Sequence, residues 1–153
     1  MNRNSKKYGK SRKSEKNEQI ICCLQKNNIK PSYARIKIYE YLTVKRNHPA
    51  VDMIYNELSA EIPTLSKTTV YNTLGLLADA GLVRAITIED NETRYDAGMQ
   101  DHGHFKCESC GRIFDFSFES DSLVYDGLAD FEINTKNVYF NGICSGCRKV
   151  NKK

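Results

Sequence analysis

The sequence predicts an α+β protein of two domains, and three observations carry that prediction. The N-terminal half contains four segments in which apolar residues recur at helical spacing, followed by two short β-like segments. The C-terminal third contains two Cys-x-x-Cys pairs. Residues 95–147 carry nine acidic and three basic side chains, whereas the N-terminus is basic, so the composition changes where a second domain begins.

Composition places the chain among ordinary globular proteins. Its 153 residues are 40% hydrophobic, which suffices for one domain or two small ones. No apolar run reaches the ~18 residues of a membrane span, and the charged N-terminus has no apolar segment behind it, so we expect a cytoplasmic protein with no membrane partner. In that reducing compartment the six cysteines are expected to be metal ligands or buried thiols, and adjacent Cys22 and Cys23 fit helix packing.

The positive charge is concentrated at the N-terminus. Of the net charge of +4, residues 1–16 contribute +6, from seven Lys or Arg against one Glu. Residues 1–17 are therefore predicted to be a disordered basic tail. Beside a DNA-binding fold such a tail would add attraction to phosphates that does not depend on base sequence.

A winged helix-turn-helix is predicted over residues 18–96. Its helices are expected at residues 18–26, 35–44, 51–62 and from Lys67 to Gly81. Ser32 and Ser66 have the residue type and position of helix N-caps. Residues 82–88 and 93–96, joined by a polar turn, are expected to form the β-hairpin wing.

The fourth helix carries the side chains that suit a DNA major groove. Its first turns and outward face offer phosphate-binding, base-edge and thymine-methyl contacts from Lys67, Thr68, Thr69, Tyr71 and Asn72. The alternative is that these are solvated residues of a surface helix. The wing and the basic tail favour the DNA-binding interpretation.

Residues 97–153 are predicted to form a small α/β domain for metal binding and dimerisation. Short β-like segments at residues 104–106, 112–116 and 132–140 surround an expected helix at residues 122–131. The segment has few aliphatic residues, so a bound metal is a plausible source of its stability. Residues 134–140 are the candidate strand of a dimer interface.

Two Cys-x-x-Cys pairs predict a closed metal site. Cys107 with Cys110 and Cys144 with Cys147 can turn four thiolates toward one ion. Soft sulfur ligands in tetrahedral geometry select zinc, and four protein ligands leave no open position, so this Zn²⁺ would be structural. The alternative is one disulfide within each pair.

Nitrogen and oxygen ligands predict a second, open site. All three histidines of the chain can meet only where the two predicted domains meet, together with carboxylates from the wing and from the strand after Cys110. The ligand set is His48, Asp96, His102, His104 and Asp115. Such a set suits Fe²⁺ or Mn²⁺, and an ion shared by two domains can act as a ligand-biased switch.

Several motifs, in one order, resemble the ferric uptake regulator (Fur) family of bacterial metalloregulatory repressors over about residues 18–148. They are HPAVDMIYNEL, TLSKTTVYNTLGLLADAGLV, TRYD, DHGHFKCESCGRIFDF and GICSGC. The resemblance implies a homodimer that binds an operator in double-stranded DNA and is not an enzyme. Arg35 matches the family motif before the second helix and is an expected DNA contact.

Within the family the sequence is most similar to the peroxide-sensing (PerR) branch, whose sensing metal is held by three His and two Asp. Iron-sensing relatives tend to have Glu where Asp96 stands. The branch mechanism implies that Fe²⁺ and hydrogen peroxide convert His48 or His102 to 2-oxo-histidine and that the repressor then leaves DNA, whereas Mn²⁺ supports DNA binding without that reaction. A further family metal site is expected to be absent, because residues 134–141 contain no histidine.

Three alternatives stay open from the sequence. The first is a repressor of the same family that senses iron or zinc availability without peroxide chemistry. The second is a metal-dependent hydrolase built on Asp96, His102 and His104. The third is a zinc-stabilised protein-interaction module whose helix-turn-helix does not read DNA.

Overall fold

The computed structural model describes residues 12–89, 91–98, 101–119 and 126–150. The N-terminal part contains α1 (Arg12–Lys26), α2 (Tyr33–Lys45), α3 (Val51–Leu58), α4 (Lys67–Asp79), β1 (Arg84–Ile86) and β2 (Arg94–Asp96). The C-terminal part contains β3 (Gly103–Cys107), β4 (Ile113–Phe116), β5 (Tyr139–Gly142) and α5 (Ser145–Val150). The predicted α+β class, with a helical N-terminal region and a sheet in the C-terminal region, is confirmed.

The predicted N-caps of the second and fourth helices are present. Ser32 Oγ accepts a hydrogen bond from the Arg35 amide at 3.3 Å, and Ser66 Oγ accepts one from the Thr69 amide at 3.0 Å. Each bond satisfies an amide that has no partner within its own helix. Ser32 and Ser66 therefore mark the N-termini of α2 and α4, as the sequence predicted.

Two helix boundaries differ from the prediction by four residues or more, and the ends of the second and fourth helices differ by one or two. The first helix begins at Arg12 rather than at residue 18, so its first turns occupy part of the predicted disordered tail, and residues 1–11 lie outside the described residues. The third helix ends at Leu58 rather than at Ile62. Pro63 disfavours helical geometry at the preceding residue, yet Ile62 stays in the core because its amide bonds to the Leu58 carbonyl at 2.9 Å.

A single hydrophobic core fills the N-terminal region. The side chains of this core are buried between the four helices and the wing. They are Ile20, Leu24, Ile29, Ile38, Tyr39, Tyr41, Leu42, Ile54, Leu58, Ile62, Leu65, Val70, Leu74, Leu77, Leu82, Val83 and Tyr95. Among the described residues beyond Tyr95, the buried hydrophobic side chains are those of Cys107 and Cys144. The two regions are therefore stabilised differently, the first by hydrocarbon packing and the second around its cysteines.

The C-terminal sheet has the strand order β4-β3-β5. β3 pairs antiparallel with β4 and parallel with β5, with His104 opposite Asp115 on one side and Tyr139 on the other. The predicted strand at residues 132–140 is wrong over most of its length, because β3 has only five residues and pairs with Tyr139–Gly142 alone.

The helix predicted at residues 122–131 is also wrong in its described part. Residues 122–125 lie outside the described residues, and residues 126–131 form bends and turns. Gly127 adopts a left-handed φ of 82°, which interrupts a right-handed helix. A helix that was not predicted, α5, follows the last strand instead.

Within the described ranges, no helix is both long and apolar enough to cross a membrane.

Candidate metal centres

The first cysteine pair lies in a tight turn between β3 and β4. The Gly111 amide donates to the Cys107 carbonyl at 2.8 Å, and the Cys107 amide donates to the Arg112 carbonyl at 2.9 Å. Gly111 closes this turn with a φ of 69°, a conformation that costs glycine little and other residues more. The turn thus places both sulfurs of the pair on one side of the sheet end.

The second cysteine pair is carried to the first by the parallel pairing of β5 with β3. The Glu108 amide donates to the Gly142 carbonyl at 2.8 Å, just beyond the paired strands. The Cys144 amide then donates to Cys107 Sγ at 3.3 Å, and the Cys147 amide, in α5, donates to Cys144 Sγ at 3.5 Å. Backbone amides pointing at sulfur are typical of thiolates bound to a metal.

All four sulfur atoms of these pairs lie within 4.8 Å of one another, and none is in a disulfide. Cys110 Sγ and Cys144 Sγ are 4.0 Å apart. Sulfurs that bind one tetrahedral Zn²⁺ at ~2.3 Å are ~3.8 Å apart, whereas a disulfide requires ~2.05 Å. The geometry fits a four-thiolate zinc site and not the disulfide alternative.

Hydrogen bonding already favours the thiolate form at part of this cluster. Bonds from the amides of Cys144 and Cys110 lower the pKa of Cys107 to about 6. A hydrogen bond from Ser109 lowers the pKa of Cys147, but the other cysteines and burial outweigh it and raise that pKa to about 11. Four thiolates this close together repel one another, and a bound cation would offset that repulsion.

The second cluster draws on both halves of the chain. His48 lies in the loop between α2 and α3, with a φ of 48°, and the Tyr95 amide of β2 donates to the neighbouring Pro49 carbonyl at 3.0 Å. Asp96 ends β2. The hydrogen bond between Tyr95 and Pro49 therefore joins the loop that carries His48 to the wing strand that ends in Asp96, and so brings two of the predicted ligands into one region.

The other three predicted ligands lie in the C-terminal region, on or next to its sheet. His102 and His104 are two residues apart at the start of β3, and His104 is directly opposite Asp115 on β4. Side chains two apart in an extended segment point to the same face, as do cross-strand partners. The sheet thus presents His102, His104 and Asp115 toward the wing.

Three imidazole Nε2 atoms converge on two carboxylate oxygens. Asp115 Oδ1 lies 2.7 Å from His48 Nε2, 3.5 Å from His102 Nε2 and 3.6 Å from His104 Nε2. Asp96 Oδ2 lies 3.0 Å from His102 Nε2 and 3.8 Å from His104 Nε2. Donor atoms that each lie ~2.1 Å from one ion are separated by ~3 to 4 Å. The donor atoms of His48, Asp96, His102 and His104 all lie within 4.8 Å of one another, which fits a common cation, whereas Asp115 is close to the histidines but lies outside this group of four.

Burial separates this cluster from an ordinary group of surface ion pairs. His48, Asp96 and His104 are buried, whereas Asp115 is 46% exposed and forms the rim. His48 Nε2, His104 Nε2 and Asp96 Oδ2 are shielded from water and make no hydrogen bond of acceptable geometry. Buried polar atoms of this kind are destabilising unless a ligand satisfies them, and a divalent cation would satisfy all three.

The protonation states also suit a cation. Burial lowers the pKa of His48 against the attraction of Asp115 and Asp96, which favours the neutral imidazole that binds metals. Burial raises the pKa of Asp96, but nearby His104, the Gly98 amide at 2.8 Å and the charge of His102 outweigh it and lower that pKa to about 2. The role of Gly98 could not be read from its residue type alone.

The outward face of α4 exposes most of the predicted DNA-contacting side chains. Lys67, Thr68, Tyr71 and Asn72 are exposed, and Lys67 Nζ lies 2.9 Å from Asp52 Oδ1. Two other predicted contacts have structural partners. The Thr69 hydroxyl lies 2.9 Å from Ser66 Oγ. The guanidinium of half-buried Arg35 donates to the Lys30 carbonyl at 2.7 Å.

A profile of the ferric uptake regulator family matches residues 26–125. The chain belongs to this family. Its members are transcriptional regulators, so the chain is a metal-dependent repressor of this kind rather than a hydrolase, and the resemblance seen in the motifs is confirmed.

Named relatives include peroxide-responsive regulators. The peroxide-responsive repressor PerR of Staphylococcus epidermidis is 32% identical over 136 residues, which cover 86% of this chain and 90% of that protein. A structure of PerR from Streptococcus pyogenes, described as a basis for peroxide sensing and gene regulation, is 30% identical, covers 86% of this chain and 92% of its own, and has a TM-score of 0.50. The Vibrio cholerae ferric uptake regulator shares the fold, with a TM-score of 0.68, 24% identity and coverage of 81% and 98%.

Proposed function

We propose that this regulator senses hydrogen peroxide through a divalent metal held by His48, Asp96, His102, His104 and Asp115. The observation that carries the proposal is the convergence of three Nε2 atoms on two aspartate oxygens at the junction of the wing and the sheet. Relatives that share about a third of its residues are named peroxide-responsive repressors, which supports the same reading.

The chain's own residues would bind, orient and shield the ion. His48 comes from the loop between α2 and α3 and Asp96 from the wing, whereas His102, His104 and Asp115 come from the C-terminal region. An ion bound by all five would therefore restrain the position of the N-terminal region, including α4, relative to the sheet. With Fe²⁺ bound, the metal would supply the redox chemistry by which hydrogen peroxide oxidises a ligand histidine. The net change adds one oxygen to Cε1 of His48 or His102 as 2-oxo-histidine, and the second oxygen leaves as water. An oxidised ring is a poorer ligand, so the restraint on α4 is lost and the repressor leaves DNA.

The cysteine cluster would hold a structural Zn²⁺ through Cys107, Cys110, Cys144 and Cys147. The protein would act in the cytoplasm as a homodimer on double-stranded DNA, because paired half-sites about 34 Å apart supply the affinity that one recognition helix lacks. β5 is an edge strand, and exposed Phe131, Ile133 and Phe140 lie on or before it. Arg35, Lys67, Thr68, Thr69, Tyr71 and Asn72 are the proposed DNA contacts.

The deciding experiment loads the zinc-bound protein with Fe²⁺ or with Mn²⁺ and exposes each form to hydrogen peroxide. Mass spectrometry of the Fe²⁺ form should show one added oxygen, about 16 mass units, on a peptide that contains His48 or His102, together with loss of operator binding in a shift assay. The Mn²⁺ form should bind the operator and remain unmodified. If the Fe²⁺ form stays unmodified while metal removal releases DNA, the chain senses metal availability and the peroxide proposal is wrong.

A further inference from the structure

A second contact joins the wing to the C-terminal sheet, and it uses no metal ligand. Lys106 Nζ, on β3, lies 3.3 Å from Oε1 of Glu89, which is in the wing turn that follows β1. Arg94 Nη2, on β2, lies 3.4 Å from the same oxygen. One carboxylate of the wing turn is thus shared between a cation of its own domain and a cation of the other domain.

These three side chains are largely buried, unlike most surface ion pairs. The exposed fractions are 15% for Glu89, 18% for Arg94 and 27% for Lys106. For comparison, the pair of Lys45 and Glu57, which lies within the helical domain at 3.2 Å, is about half exposed at both ends. Reduced exposure weakens screening by solvent, so the attraction between Glu89 and Lys106 is stronger than that of a typical surface ion pair.

The same network reaches the metal-binding loop. Arg94 Nη1 lies 3.5 Å from the His48 carbonyl and 3.1 Å from Met53 Sδ, at the start of α3. Asp96 follows Arg94 by two residues on β2. Glu89 therefore connects Arg94, which contacts the His48 carbonyl and lies two residues before Asp96, to Lys106 on the strand that carries His104.

We infer that Glu89 and Lys106 are positioning residues that favour the domain arrangement in which the five metal ligands meet. The inference rests on the proposed function of the His and Asp cluster. Because an ion bound by both domains is captured only from the assembled arrangement, any contact that raises the population of that arrangement raises the apparent metal affinity. The pair would thereby help to set the free metal concentration at which the open site fills.

The test measures Mn²⁺ binding to the zinc-loaded full chain by calorimetry, because Mn²⁺ avoids ligand oxidation. Lys106→Met and Glu89→Gln should each weaken Mn²⁺ binding about two- to fivefold. The double variant should bind Mn²⁺ little more weakly than Glu89→Gln, because that substitution already removes the contact with Lys106 together with the contact with Arg94. The loss should shrink at about 0.5 M salt, where charge pairs are screened. Lys106→Arg should restore the affinity, and Lys45→Met, the matched control, should bind Mn²⁺ like the unmodified protein.

Zinc content and thermal unfolding of every variant separate a positioning effect from damage to the sheet, because Lys106 adjoins Cys107. Glu89→Gln leaves the sheet unaltered and serves as the second, independent variant. If Lys106→Met and Glu89→Gln both bind Mn²⁺ as tightly as the unmodified chain, while His104→Ala does not bind it, the inference is wrong and the proposed sensing site stands. If His104→Ala binds Mn²⁺ unchanged, the proposed site itself fails, and this inference fails with it.

Discussion

The two clusters of metal-ligating side chains differ in how much of the chain each one draws on. The cysteine cluster uses the turn after β3 and the segment that leads from β5 into α5, and the amides of Cys144 and Cys147 donate hydrogen bonds to two of its sulfurs. The histidine and aspartate cluster uses a helix connection, the wing and two strands of the sheet. The first is closed within a domain, and the second lies across a domain boundary.

Under the proposed function, this difference would separate a site that stabilises the fold from a site that regulates it. An ion bound wholly within the C-terminal sheet stabilises that sheet in any arrangement of the two domains. An ion bound by ligands from both regions stabilises only the arrangement in which they meet, which is the differential binding that a switch requires. The buried hydrocarbon core of the N-terminal region needs neither ion, since its members all lie between residues 20 and 95.

The largest expected effect follows Cys144→Ser, which removes a buried sulfur from the closed site. Structural zinc sites contribute on the order of 10 kcal/mol or more to folding. We expect the variant to lose its zinc, the cooperative unfolding of the sheet and also Mn²⁺ binding, as measured by elemental analysis, circular dichroism and calorimetry. Cys22→Ser, at an exposed position of α1, is the control and should retain all three. Full zinc content in the Cys144 variant would show that the cysteine cluster is not the zinc site that the comparison of the two clusters assumes.

A smaller and more selective effect is expected of His104→Ala in the open site. His104 is 2% exposed, and its Nε2 lies near both carboxylates. Loss of this ligand should weaken Mn²⁺ binding by about 100-fold, roughly 2.7 kcal/mol, while zinc content stays the same. Tyr139→Phe, which keeps the neighbouring ring and removes only its hydroxyl, should behave like the unmodified chain. Zinc loss in the histidine variant would show that the two sites are not independent.

Asp115→Asn tests whether the exposed rim of the open site contributes less to Mn²⁺ affinity than its buried residues do. Asp115 is half exposed, so water can partly replace its oxygen, and we expect Mn²⁺ affinity to fall about tenfold. Asp101→Asn is the matched control, because Asp101 is exposed and pairs with Arg84 at 3.4 Å rather than with the cluster. Calorimetry should find its affinity unchanged. An effect of Asp115→Asn as large as that of His104→Ala would place this carboxylate among the dominant ligands.

The smallest expected effect is that of Gly111→Ala, which strains the first cysteine turn. A non-glycine residue at a left-handed φ costs about 1 kcal/mol, so zinc should be released to a chelator more readily while Mn²⁺ affinity is unaltered. Gly75→Ala is the matched change in a helix, where an added Cβ meets nothing within 4 Å and should stabilise the N-terminal domain by about 1 kcal/mol. Chelator competition would measure zinc release from the Gly111 variant, and thermal unfolding would measure the stability of the Gly75 variant. Equal effects of Gly111→Ala on both metals would contradict the separation of the sites.

Local signals in the sequence predicted local structure well. Ser32 and Ser66 cap the helices they were expected to cap, because an N-cap depends on residues within one turn. The predictions failed where the chain depends on distant partners. Residues 126–131 are not helical, and Gly127 there has a left-handed φ of 82°. The last strand is shorter than expected because its length is set by pairing with β3, and α5, which carries Cys147, was not foreseen.

By itself, the sequence predicted the winged helix-turn-helix and the two cysteine pairs and, with the family resemblance, proposed five ligands for the open site. These depend on spacing along the chain and on the donor chemistry of each residue type. Only the tertiary structure decided that β5 runs parallel to β3, that Asp115 lies at the rim while Asp96 is buried, and that Glu89 meets Lys106. Contacts between residues far apart in sequence depend on how whole elements pack, and no local pattern encodes them.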